Sequence, residues 1–181
     1  MNPKSKFAAV SRVLAVVFLF YVALVSVFVF VFPLSHPPKE EKVLKNFYAH
    51  RATFERLRDM LLEDRQLIRV TDWGVETTKS VGTSKPPVGD FPLNRYNEYL
   101  ALLKETGGVG AFGGREEPRQ SVGILVYVSG FGGDTRHVEV CWLARGPANK
   151  VPSLDAFYKT PKPRTPVYRH IDGNWYLWAD W

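Results

Sequence analysis

His137, Glu139 and Cys141 are the first place in this 181-residue sequence where acid–base or nucleophilic chemistry could be assembled. Side chains alternate faces along a strand, so these three point the same way. A thiol nucleophile needs a base within about 3 Å, whereas strand residues four apart are separated by about 13 Å, so His137 cannot activate Cys141. His170 reaches the thiol only if strands of two hairpins bring it alongside. The pattern therefore reads as a structural cysteine with ordinary surface His and Glu, since a free thiol commonly behaves as a small buried apolar group. Gly108-Val109-Gly110-Ala111-Phe112-Gly113 matches the dinucleotide fingerprint by letter, but that motif works only after a strand and before a helix. Here a helical pattern precedes it and Arg115-Glu116-Glu117-Pro118 follows, so a flexible loop is expected. Histidines at 36, 50, 137 and 170, with no HExxH pair and no second Cys, suggest no zinc site. Neither a nucleophile elbow nor a P-loop occurs. No catalytic, cofactor-binding or metal-ligating residue is assigned, and no cofactor is expected.

The elements that would position these residues predict an α+β domain. Val122, Ile124, Val126 and Val128 alternate with other residues, as do Val138, Val140, Trp142 and Ala144. With Gly130-Phe131-Gly132-Gly133-Asp134 between them, they read as a hairpin. A second hairpin joins Val167–Ile171 to Asn174–Trp181 through Asp172-Gly173, a pair favoured in type I′ turns. That register sets His170 opposite Trp175 and Tyr168 opposite Leu177, and puts Tyr168, His170, Trp175, Leu177, Ala179 and Trp181 on one core-facing side. Trp178 falls on the other side, where an apolar partner surface is the alternative to cover by helices.

Upstream, Pro37 and Pro38 suit a helix start, and Val43, Phe47, Phe54, Leu57 and Leu61 form one apolar stripe over a helix running to about Asp64. The stripe also fits a heptad seam, but under three heptads is short for a coiled coil, so packing on a sheet is expected. Gln66–Thr78 reads as a strand broken near Asp72-Trp73-Gly74, and residues 79–91 as a surface loop. A second helix is expected from Asn94 to Thr106, ended by Gly107. Between Pro147 and Pro166 an irregular connection carries one helical turn at Leu154-Phe157-Tyr158. Its Lys159, Lys162 and Arg164 read as solvated surface. The expected architecture is thus two helices on a mainly antiparallel sheet with two C-terminal hairpins.

Location follows from residues 13–32, 20 in a row without a charge and all Val, Leu or Phe except Ala15, Tyr21, Ala23 and Ser26. A helix of that length spans about 30 Å, the thickness of a bilayer core. Insertion is favourable by roughly 5 to 10 kcal/mol on the translocon scale. A cleaved signal would have a shorter apolar run and a small-x-small site, where this chain has Phe28, Phe30 and Phe32. Lys4, Lys6 and Arg12 on the N-terminal flank predict a cytoplasmic residue 1–12 segment, a transmembrane helix at 13–34, a spacer at 35–38 and an extracytoplasmic domain at 39–181. With three of the 24 bases in that flank, the exported part holds 21 bases against all 18 acids, so a pI near 9.5 is weak evidence for nucleic acid, and none is expected as a partner. A lone Cys and the absence of an Asn-x-Ser/Thr sequon are compatible with a bacterial inner-membrane anchor.

The stretches Phe54-Glu55-Arg56-Leu57, Asp64-Arg65-Gln66-Leu67-Ile68-Arg69, Tyr96-Asn97-Glu98-Tyr99-Leu100-Ala101-Leu102-Leu103 and Trp175-Tyr176-Leu177 resemble uncharacterised bacterial single-pass membrane proteins with a small α+β extracytoplasmic domain. The resemblance covers about two-thirds of the chain and implies architecture and bacterial origin, with no site residue carried over. The expected role is a membrane-anchored extracytoplasmic binding or assembly module, whose partners are the lipid bilayer and an envelope protein. The alternatives are an extracytoplasmic hydrolase or a membrane-proximal homodimer.

Overall fold

The computed structural model describes residues 14–23, 25–26, 36–80, 82–86, 91–113, 120–129, 135–159 and 166–180. The chain divides into two compact units, Met1–His36 and Pro37–Trp181. In the first, residues 14–23 are helical with exposed side chains. Residues 13, 24 and 27–34 of the expected anchor lie outside the described residues. Among those that are described, no helix is long and apolar enough to cross a membrane.

The second unit is α+β. Its helices are α1 (Glu40–Ala49), α2 (Arg51–Glu63), α3 (Leu93–Thr106) and α4 (Leu154–Tyr158). Its strands are β1 (Leu67–Thr71), β2 (Gly74–Thr77), β3 (Gly110–Gly113), β4 (Ser121–Ser129), β5 (Arg136–Leu143), β6 (Val167–Asp172) and β7 (Trp175–Asp180). They form one sheet in the order β2-β1-β3-β4-β5-β7-β6, with every neighbouring pair antiparallel. The apolar stripe of the first two helices is buried against this sheet rather than left as a seam. Phe47 and Phe54 are fully buried, and their rings lie 5.4 and 6.4 Å from that of Trp175 on β7. Burying rings of this size is the largest single apolar gain available to a side chain. From α3, Tyr99 and Leu103 join the same core, and Tyr99 Oη donates to Asp64 at 2.9 Å. That carboxylate also receives Arg95 at 2.7 Å, which ties α3 to the end of α2.

Several expectations need correction. The single helix expected to run to Asp64 is two helices, broken at His50, where the apolar stripe misses a residue. The His50 backbone N–H keeps the i→i−4 bond to the Asn46 carbonyl, which its ring Nδ1 also approaches at 3.2 Å, but His50 itself leaves helical geometry at φ −121° and ψ 29°. The strand broken at Asp72-Trp73 is itself a hairpin, β1 with β2, in addition to the two expected nearer the C-terminus. Trp73 sits in its turn and is 55% exposed, not in a strand. The glycine-rich segment expected to be a loop supplies β3, the central link between β1 and β4.

Registers differ as well. In β4 a bulge between Leu125 and Tyr127 leaves Val126 without a partner, so Tyr127 shares a side with Val138 and Val128 turns outward, 47% exposed. The last hairpin turns on Gly173-Asn174, not Asp172-Gly173. Only Gly173 has positive φ, at 54°, which suits a type II′ loop with glycine first and excludes type I′. An irregularity in β6 between His170 and Asp172 then slips the ladder by one residue and pairs Tyr168 with Trp178 and His170 with Tyr176, so Tyr168 and His170 leave the core side while Trp175, Leu177 and Ala179 keep it. The expected second helix, its Gly107 stop at φ 65° and the turn at Leu154–Tyr158 are all present. Phe131, Lys162, Arg164 and Trp181 lie outside the described residues.

If Trp175 anchors the helical layer, Phe54→Ala lowers the unfolding free energy by about 3 to 5 kcal/mol. Val128→Thr, a buried site under strict alternation but an exposed one here, changes it by less than about 0.5 kcal/mol. Denaturant titration of the full chain in detergent checks both.

Candidate functional site

All the helical core contacts fall on one side of the sheet, and the strand registers show what stands on the other. Leu125, Glu139, Trp178 and Tyr168 form one row across β4, β5, β7 and β6. The next row is Phe112, Gly123, Cys141, Tyr176 and His170, from β3 to β6. The expectation that His137, Glu139 and Cys141 share a face holds, and it is this face. Aromatic contacts knit it together: the His137 and Trp178 rings stack at 6.4 Å, and Tyr176 has His170 at 5.2 Å and Tyr168 at 6.4 Å.

Gly123 interrupts the second row. Where any other residue would project a side chain, there is a depression of about 200 Å³ whose walls include Phe112, Leu143, Tyr168 and Trp178. The Glu139 side chain leans into it, so that a Cβ built on Gly123 would lie 2.4 Å from Glu139 Oε2. The carboxyl makes no ion pair and receives no hydrogen bond from any described residue, and burial alone pushes its pKa up to about 7. Neighbouring groups respond in kind. Burial first, then the charge of Glu139, raises the Cys141 thiol far above its ordinary value, and the same influences with Cys141 raise the Tyr168 phenol.

This arrangement separates the candidates read from the sequence. Cys141 is buried, and its Sγ lies 3.5 Å from the Tyr176 carbonyl, to which it donates. His170 is two strands away, roughly 10 Å across the sheet, and its Nε2 is engaged with the Gly173 carbonyl at 2.9 Å. A thiol held neutral and without a base nearby is not an activated nucleophile. Gly108 and Gly110 serve packing: a Cβ on Gly108 would be 2.9 Å from Leu103 Cδ2, and one on Gly110 would be 3.2 Å from the Val70 carbonyl oxygen. The segment follows a helix and itself forms an antiparallel strand, without the βαβ unit that holds a pyrophosphate. Among the described residues no group of three His, Cys, Asp or Glu is placed to hold a metal ion. Glu139 was visible in the sequence only as a surface acid. Its special position depends on Gly123 of the neighbouring strand, and an isolated strand glycine signals such close approach only once the pairing is known.

No family model matches the chain, and neither a curated protein nor a solved structure does.

The raised carboxyl couples folding to pH with a definite sign. Below about pH 4.5 the group is protonated in folded and unfolded chains alike and imposes no penalty. As pH rises from 4.5 to about 7 the unfolded chain ionises first, so stability falls and the loss is complete above 7. The expected loss is on the order of 3 kcal/mol at most. Unfolding titrations across that interval should show this decline in the native chain and its removal in Glu139→Gln.

Proposed function

We propose that this protein is a membrane-anchored extracytoplasmic module that binds or assembles with another envelope component through the helix-free face of its sheet. The anchor is residues 13–34, the orientation is N-terminus inside, and the membrane is a bacterial inner membrane. The apolar run and its basic flank support the placement. The observation that carries the binding role is the row Trp178–Tyr168 beside the hollow over Gly123, half-buried aromatic surface that no described helix covers. Aromatic residues of this kind, large, rigid and amphipathic, are the common anchors of binding surfaces.

Other readings find less support in the geometry. A hydrolase would need a nucleophile or activated water beside a base, and on this face Glu139 stands without a second acid–base group in hydrogen-bond reach among the described residues. A homodimer through the Val43–Leu61 stripe would compete with the protein's own core, where that stripe is already buried.

Site-specific photocrosslinkers at positions 168 and 178, compared with position 56 on the helical side, test the reading in intact membranes. Discrete adducts from 168 and 178 but not from 56 are expected. Adducts from 56 alone would contradict the face assignment, and a C-terminal tag that resists external protease in spheroplasts would contradict the export.

A further inference from the structure

The hollow over Gly123 has a chemistry narrower than that of an apolar patch. Its only carboxylate is Glu139, which no described residue neutralises, and three of its lining residues, Phe112, Tyr168 and Trp178, are aromatic. A carboxyl withdrawn from water is costly unless it gains a partner. An anion would be repelled there, and an uncharged apolar guest would leave the carboxyl buried and unpaired. A single carboxylate beside a neutral thiol is a poor donor set for a metal ion, which needs several ligands. An organic cation satisfies both features at once, because the carboxylate pairs with its charge and the π faces of the rings attract it. About 200 Å³ admits a short alkyl chain with its charged head and excludes a large cofactor.

We infer that the Gly123 hollow binds an alkylammonium group, with Glu139 as its counter-ion and Phe112, Tyr168 and Trp178 as its aromatic enclosure. The inference rests on the open face being a binding surface and specifies what one part of that surface takes. The ammonium can be a free amine or the side chain of a lysine, which share this chemistry.

Binding requires the ionised carboxylate, so affinity rises as pH passes about 7. The groups facing Glu139 come from four strands. Its own strand adds His137 and the Cys141 thiol, which burial keeps neutral; β4 adds Gly123 and Leu125; β7 adds Tyr176, Trp178 and, opposite His137, Asp180; β6 adds the Tyr168 phenol.

Calorimetric titration of the full chain in detergent with n-butylammonium, with n-butanol and with a short lysine peptide and its Nε-acetylated form tests the inference. Saturable binding of butylammonium, at least about tenfold tighter than butanol, is expected. Glu139→Gln keeps the shape and removes the charge. Gly123→Ala displaces the carboxyl at its flexible end without meeting backbone, so the fold persists while the hollow closes. Each variant should weaken butylammonium binding about tenfold or more. Binding of the lysine peptide but not its acetylated form assigns the source to a polypeptide, and binding of butylammonium alone assigns it to a free amine. Butanol binding as tightly, no binding of butylammonium, or wild-type affinity in both variants overturns the inference. If crosslinks from 168 and 178 persist in that event, the binding surface stands and only the ammonium assignment falls.

Discussion

The contact of Phe47 and Phe54 with Trp175 decides which side of the sheet is core, and the rest of the domain follows from that choice. Strand side chains alternate, so once Trp175, Leu177 and Ala179 face the helices, Tyr176 and Trp178 must face away. The registers then carry the consequence across the sheet and place Glu139, Tyr168 and Phe112 on that same outer side. An antiparallel sheet with one helical layer is a stable architecture provided its second face is made largely polar or given a partner. Here the second face is aromatic, with a carboxyl among the rings. It is the combination, more than any single residue, that sets the domain apart from a simple two-layer scaffold.

Gly123 and Glu139 act as a unit. Glycine within a strand gives up packing and costs conformational entropy, and a carboxyl without a partner costs desolvation, so each alone works against stability. Together they make a concave, acidic, ring-lined feature on a surface that pleated strands would otherwise keep even. Local departures from folding rules of this kind tend to mark functional positions. The lone thiol beside them contributes by filling space and staying uncharged, and its hydrogen bond to the Tyr176 carbonyl fixes it in that role.

Those elements whose signal is local were legible in the sequence. The β4–β5 hairpin announces itself by alternation, α3 by its stripe and its glycine stop, and the turn at Leu154–Tyr158 by an apolar island between prolines. What escaped depends on pairing. Periodicity does not show β3, because its glycines remove the side chains that would alternate, yet those same glycines let it pass close to β1. The β4 bulge and the irregularity between His170 and Asp172 in β6 each shift a register by one residue, which moves every side chain beyond them to the other face. That slip is why Tyr168 and His170 read as core in the sequence and stand on the outer face in the fold. The shared orientation of His137, Glu139 and Cys141 was legible, while the hollow was not, since it is made by a side chain that is missing from the next strand.

Hydroxyl-radical footprinting of the full chain in its membrane or in detergent bears most directly on the one-sided sheet. Trp178 and Tyr168 should be oxidised far faster than Trp175 and Phe54, which the helices seal. Equal protection of Trp178 and Trp175 in the isolated protein would mean that the outer face is covered too, and would contradict the one-sided sheet.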